Sequence, residues 1–132
     1  MNECEIIEQS AVVPYLIDNG IKKIILITAQ NLSRNWIVPK GHVEKNMTPQ
    51  ASAQKEAFEE AGLKGNVESK VVGTLLYSKK KKKYKVDFFP FKVTEILDDW
   101  PEKKSRERIS VEQDYLKKFV LDENLLKILK EI

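Results

Sequence analysis

The stretch that most restricts what this chain can fold into runs from Gly41 to Leu63, GHVEKNMTPQASAQKEAFEEAGL. Within it Glu56, Glu59 and Glu60 stand at i, i+3 and i+4. On a helix those offsets share one face, with Cβ atoms about 5–6 Å apart. Like charges so placed destabilise a bare helix, and taken alone the pattern more often marks a solvated acidic face than a site. A cation among the carboxylates reverses that balance. An all-oxygen ligand set favours a hard ion, Mg2+ or Mn2+, of the kind that bridges to substrate phosphates. The helix itself is well marked. Thr48 is a good N-cap, Pro49 a good first residue, the alanines favour helix, and Gly62 is placed to end it. The helix is predicted over about Pro49–Ala61, with Ala57, Phe58 and Ala61 packing inward and the glutamates facing a cleft.

The residues around the cluster carry more information. The segment resembles the signature of the Nudix family, G-x(5)-E-x(7)-R-E-U-x-E-E-x-G-U, where U is a bulky aliphatic residue. Gly41 opens it, Glu56, Glu59 and Glu60 fill its three metal-ligand positions, and Gly62 and Leu63 close it without a gap. Upstream, Trp36-Ile37-Val38-Pro39-Lys40-Gly41-His42 is similar to the WxxPKGH lead-in of Nudix enzymes that cleave diphosphoinositol polyphosphates and diadenosine polyphosphates. Asp99-Trp100-Pro101-Glu102 and the Arg106/Arg108 pair resemble the same subgroup. The likeness runs from about Ser10 to the C-terminal helix. Two positions depart from the signature: Met47 stands where it has Glu, and Lys55 where it has Arg. In the family those side chains pair and brace the loop against the helix. Here both are altered together, and Lys55 can reach solvent or Glu44 instead. Ala57 is also smaller than the usual aliphatic residue. The departures imply a loosened brace around intact ligands.

The chain has 132 residues, which suits one domain spanning 1–132 with one core. Its single cysteine, Cys4, excludes an internal disulfide and suits a reducing cytoplasm, read as a structural or frayed N-terminal thiol. Met1 to Glu5 lacks the basic region of a signal peptide, and no apolar run approaches the ~20 residues of a membrane span. His42 is the sole histidine, so a histidine metal site is excluded. The net charge is +3, and its distribution matters more than its size: Lys79 to Lys83 are consecutive, followed by Tyr84 and Lys85. Such a run recruits nucleic acid or polyphosphate, or is the solvated tip of a hairpin.

Along the chain, Ser10–Ile17 and Ile21–Thr28 read as strands joined at Asn19-Gly20, a hairpin turn signal. Trp36–Val38 is a short strand leading to the site. Val67–Tyr77 and Tyr84–Ile96 form a second hairpin across the lysines. Pro14 is expected to mark a bulge or an edge, and Pro90 another bulge. Asp98–Arg108 is a loop or lid. Ser110 and Gln113 predict a capping box for a helix over Val111–Phe119, and Asp122 caps a last helix, Glu123–Ile132. These elements indicate a mixed α/β fold. The resemblance implies the same: an α/β/α sandwich with a mixed sheet and a catalytic loop-helix-loop.

The activity implied by the resemblance is hydrolysis of a diphosphate bond. Gly41, through its carbonyl, and Glu56, Glu59 and Glu60 would ligate Mg2+ or Mn2+, with Glu59 or Glu60 also a candidate to deprotonate water. Glu95, Asp98 and Asp99 are alternatives for that base. Lys40 is the first candidate for a substrate phosphate contact, and Arg34, Arg106 and Arg108 are further ones, because guanidinium binds phosphate bidentately. Expected partners are a phosphorylated small molecule, such as a dinucleoside polyphosphate or an inositol pyrophosphate, and less readily nucleic acid. No membrane partner is expected, and the chain is read as a monomer or homodimer. Two alternatives stay open: a catalytically weak module that senses nucleotide or polyphosphate, and a basic RNA-binding domain.

Overall fold

The apolar run around Val12 belongs to a longer strand, β1 (Ile6–Asp18), in a computed structural model that describes residues 5–132. Cys4 and its expected role lie outside the described residues. Asn19 and Gly20 both take positive φ and turn β1 directly into β2 (Ile21–Thr28), as the Asn-Gly signal requires. Short strands β3 (Trp36–Ile37) and β4 (Lys40–His42) follow, then α1 (Pro49–Ala61). Next come β5 (Leu63–Val67), β6 (Gly73–Lys79), β7 (Lys82–Ile96) and β8 (Arg108–Glu112), and the chain ends in α2 (Glu123–Lys130). The strands form one mixed sheet with the path β3-β2-β1-β7-β5; β4 pairs with β1, β6 with β7 and β8 with β2. Among the described residues its one parallel pair is β1 with β7, at its centre.

Two cores lie on opposite faces of the sheet, which makes the α/β/α sandwich that was expected. Under α1, Ala53, Ala57 and Ala61 form an i, i+4 stripe that is fully buried against Val12, Ile25, Ile27, Phe89 and Phe91. Three alanines in a row let the helix lie close on the sheet, which accounts for the small residue at position 57. On the other face Leu125, Ile128 and Leu129 of α2 pack with Leu116 on Val13, Ile24, Leu26 and Phe88. Phe58, expected inward, is 41% exposed, because it falls outside the alanine stripe.

Three further expectations are corrected. The stretch Val67–Tyr77 is not one strand: β5 ends at Val67, and β6 begins at Gly73 on another part of β7. The predicted helix Val111–Phe119 begins instead as β8, with Val111 opposite Ile24, followed by a 3-10 helix over Gln113–Lys118. Gln113 therefore makes no capping box; its amide donates to the carbonyls of Leu129, Lys130 and Ile132. Neither proline makes a bulge, since β1 and β7 run in unbroken register through Val13↔Pro90 and Pro14↔Phe91. Among the described residues the one shift in the sheet is at Lys64/Gly65. Each proline sits where its strand changes partner on the outer flank. On β1 the pairing passes from β4 (up to Ala11) to β2 (from Tyr15). On β7 it passes from β6 (up to Phe88) to β5 (from Phe91). No ladder N–H is needed at those two points.

Candidate active site

The capping that was read from the sequence sets α1 in place. Thr48 Oγ1 accepts from the Ala51 amide at 3.0 Å, and Gly62 takes the left-handed conformation (φ 65°) that closes the helix. Ser52, buried on the first turn, accepts from the Glu44 amide at 3.1 Å and ties the preceding loop to the helix. Lys55 reaches Glu44 at 2.6 Å, as expected of a side chain that replaces the family's arginine.

Glu56 and Glu60, one turn apart, come together beneath β4. Gly41 is what lets them: a Cβ there would lie 2.9 Å from Glu56 Cγ and would overlap its carboxyl group. The Lys40 amide donates to Glu60 at 3.3 Å. Glu60 is only 7% exposed. Burial, joined by the proton it shares with Glu56, pushes its carboxyl up to about 8, although Arg106 pulls the other way. Glu56 is also raised, chiefly by burial. Ser10 is opposite Gly41 in the β1–β4 ladder, and its buried hydroxyl has no hydrogen-bond partner. Two adjoining carboxyl groups held above their ordinary range, with an orphaned hydroxyl beside them, fit an oxygen-ligated cation in the pattern the donor set suggests.

Glu59 is not part of that pair. It points to the outer edge, 3.8 Å from Lys55. Among the described residues no three His, Cys, Asp or Glu side chains form a ready ion-binding group, so Glu59 would have to turn from Lys55 to complete one.

The four candidate phosphate contacts are placed differently from one another. Lys40 lies between the carboxyl pair and the opposite face of the sheet. Its ammonium is 5.6 Å from the Tyr77 ring centroid, and burial lowers its pKa, with Lys79 and Arg106 adding to the effect against Glu60. Arg106 is buried and fully engaged: with Glu102 at 2.9 Å, with Glu60 at 3.5 Å and with the Thr28 carbonyl at 2.9 Å. Arg108 donates to the Ala61 carbonyl at 2.7 Å and lies over the Trp100 ring. Arg34, on an exposed loop, pairs with Glu107 at 3.2 Å. The arginines thus have protein partners, and Lys40 is the cation that faces open space.

That space is a pocket of about 280 Å³, lined by Ile37, Val38, Leu75, Leu76, Val86, Phe88 and Leu125 and by the polar Lys40, Tyr77, Asp122 and Asn124. The lysine run lies alongside. Lys80 and Lys81 both take positive φ and make a two-residue turn between β6 and β7. That register stacks Tyr77 on Tyr84 at 4.8 Å, with His42 6.3 Å beyond. The Tyr77–Tyr84 stack was missed in the sequence, yet it follows from counting outward from a turn at Lys80-Lys81.

Comparisons with known proteins bear on the family and the fold. The family model described as NUDIX domain matches residues 8–122. Diphosphoinositol polyphosphate phosphohydrolase 2 of Rattus norvegicus is 33% identical over 78 residues, which is 59% of this chain and 42% of that protein. Diphosphoinositol polyphosphate phosphohydrolase 3-alpha of Mus musculus is 32% identical over 78 residues, 59% of this chain and 46% of that one. The match thus spans less than half the length of these relatives. Among solved structures, a C. elegans Ap4A hydrolase binary complex superposes with a TM-score of 0.82 at 21% identity, covering 96% of this chain and 94% of that one. A NUDIX-family hydrolase from Clostridium perfringens gives a TM-score of 0.77 at 18% identity, covering 94% and 93%. At such identities the likeness speaks for the fold. Among the described residues no helix is long and apolar enough to cross a membrane.

Proposed function

The chain belongs to the Nudix family, and from that premise we propose that it is a pyrophosphohydrolase dependent on Mg2+ or Mn2+. Its substrate is a nucleoside or inositol polyphosphate, with a dinucleoside polyphosphate preferred. The observation that carries this reading is the Glu56–Glu60 pair seated on Gly41, with Lys40 between it and an open pocket. Glu56, Glu60, the Gly41 carbonyl and, after turning from Lys55, Glu59 would hold the ion. Bound there, a divalent ion neutralises phosphate oxygens and lowers the pKa of a bound water.

The chain's own residues do the rest. Arg106, fixed by Glu102, keeps Glu60 in place while leaving it free to exchange its proton for a cation. Lys40 meets the substrate phosphate, and partial burial strengthens that contact. The pocket's mainly apolar lining, with Asp122 adding a carboxylate and Asn124 an amide, suits a flat, weakly polar group better than a polyanionic inositol ring. For that reason a nucleobase is preferred as its occupant. Lys79 to Lys83 supply a positive field for the remaining phosphates.

The sensor reading rested on Met47 and Lys55. The Lys55–Glu44 contact keeps a link between loop and helix, though an exposed and weak one. A screen of phosphate or nucleotide release with Mg2+, over diadenosine polyphosphates, nucleoside triphosphates, sugar nucleotides and inositol pyrophosphates, tests the proposal. Turnover greatest on a dinucleoside polyphosphate is the expected result. Tight binding of one compound with no turnover of any would replace the enzyme by a sensor.

Serine at positions 79–83 should raise KM by about tenfold at low ionic strength and by much less at high salt. Kinetics identical to the parent at every salt concentration would reduce the lysines to a solvated turn. Loss of RNA binding alone would move them to the nucleic-acid reading.

A further inference from the structure

A helix leaves its last four carbonyls without partners of its own. In α1 these belong to Phe58, Glu59, Glu60 and Ala61, and each is taken up. Phe58 accepts from the Gly62 amide at 3.0 Å, the ordinary closing bond. The other three are held by one distant segment. The Glu102 amide donates to Glu59 at 3.1 Å, Trp100 Nε1 to Glu60 at 3.1 Å, and Arg108 Nη1 to Ala61 at 2.7 Å. The Leu97 amide adds a bond to the Gly62 carbonyl at 2.9 Å. Asp98–Arg108, read from the sequence as a loop or lid, is together with Leu97 a clamp on the end of this helix.

The clamp also answers an electrostatic problem. The helix has no basic residue in its last turn, while Glu59 and Glu60 put negative charge at the negative end of its dipole. Arg108 brings the missing cation from outside. It stacks 4.1 Å from the Trp100 ring centroid, and Lys103 lies 5.8 Å from the same ring. Trp100 in turn lies on Gly62, where a Cβ would come within 2.9 Å of the ring. By contrast, the loop at the other end of the helix is braced by Lys55 and Glu44, an exposed pair that contributes little.

We propose that Trp100 and Arg108 are positioning residues. By gripping the carbonyls of Glu60 and Ala61 they fix the rotation of the last turn of α1, and with it the direction of the Glu59 and Glu60 carboxyl groups. The proposal rests on the reading of those carboxyl groups as metal ligands. It assigns to this clamp the alignment that the altered loop brace supports only weakly.

The test uses the full chain, with Mn2+ as the probe followed by electron paramagnetic resonance, and turnover of diadenosine tetraphosphate. Trp100→Phe keeps a ring over Gly62 and removes only the N–H donor. Arg108→Ala removes cation and donor together, and Arg108→Lys restores a cation with a donor. Trp100→Phe and Arg108→Ala should each weaken Mn2+ binding by about tenfold, in the range found when groups that orient ligands are removed. They should lower kcat while KM stays within about twofold, and Arg108→Lys should recover most of the loss. Glu60→Gln, run in parallel, separates the two ideas. If it loses Mn2+ and turnover while Trp100→Phe and Arg108→Ala behave as the parent, positioning by the clamp is overturned. If Glu60→Gln keeps both, the ligand reading is overturned, and any role acting through Glu60 with it. A fall in melting temperature with unchanged Mn2+ affinity and kcat would leave the clamp a purely structural device and would likewise overturn the proposal.

Discussion

Glu60→Gln should abolish turnover and, in metal-free protein at alkaline pH, raise stability. The first effect follows from losing a charged ligand: metal stabilisation of several kcal/mol corresponds to about 10³-fold in rate. The second follows from burial. In the folded chain the Glu60 carboxyl is raised from 4.5 to about 8, by burial first and by its hydrogen bond with Glu56 second. A carboxyl with a raised folded-state pKa favours folding in its protonated form. Its contribution is fully present below about 4.5 and is lost as pH climbs through 8. Glutamine mimics the protonated form at every pH. Metal-free Glu60→Gln should therefore match the parent near pH 4.5 and melt a few degrees higher above pH 8. Arg106 keeps Glu102 at 2.9 Å, so the substitution does not strand its guanidinium. Adding Mg2+ at pH 8 should stabilise the parent and not the variant. Melting curves at both pH values, with and without the ion, check this. A variant that is less stable at pH 8, or that still turns over at the parent's rate, would contradict the assignment.

Gly41→Ala should cost activity without costing the fold. The backbone of Gly41 needs no left-handed φ, and its neighbours in the ladder leave a strand in which alanine is acceptable. What a Cβ would meet is the Glu56 side chain, its carboxyl group first and then Cγ at 2.9 Å, which is flexible side chain rather than backbone. The carboxyl group would swing away, so the melting temperature should change by only a few degrees. The displaced ligand should cost about 10²-fold in Mn2+ affinity and turnover. Isothermal titration with Mn2+ beside a melting curve makes the comparison. Parent-like affinity would mean that Glu56 is not a ligand, and collapse of the fold would mean that Gly41 serves the sheet rather than the site.

Helix α1 was legible in the sequence because its determinants are local. Thr48, Pro49 and Gly62 act within a turn of themselves, and the glutamate spacing is a property of the helix alone. The two hairpins were legible for the same reason. What could not be read was decided by distant partners. Ser110 and Gln113 have the local form of a capping box, but Val111 lies in register with Ile24, and pairing with β2 overrides the cap. What looks like one strand over Val67–Tyr77 is broken between Val67 and Gly73, because each part pairs with a different stretch of β7. In the site, Glu56 and Glu60 met as their spacing implies, whereas Glu59 was drawn to Lys55. Arg106, which reads as an exposed loop residue, is buried because Glu60, Glu102 and the Thr28 carbonyl surround it. No local pattern encodes that convergence of three separated segments.

Pro14 and Pro90 have a consequence for how this sheet is assembled. In a strand the N–H and C=O of one residue point to the same side, and successive residues alternate. Val12 donates to Pro39 on the outer flank of β1, so Pro14, two residues on, faces the same way; Pro90 accepts from the Glu68 amide on the outer flank of β7. Sliding either strand by one residue would turn its proline ring toward the other central strand, where a donor is required, and would also turn every core side chain to the wrong face. The central pair is parallel and joins segments far apart in the chain, the kind of contact that forms slowly and is prone to misalignment on the way. Two prolines side by side act there as a proofreading device, penalising the nearest wrong alignments while costing nothing in the right one.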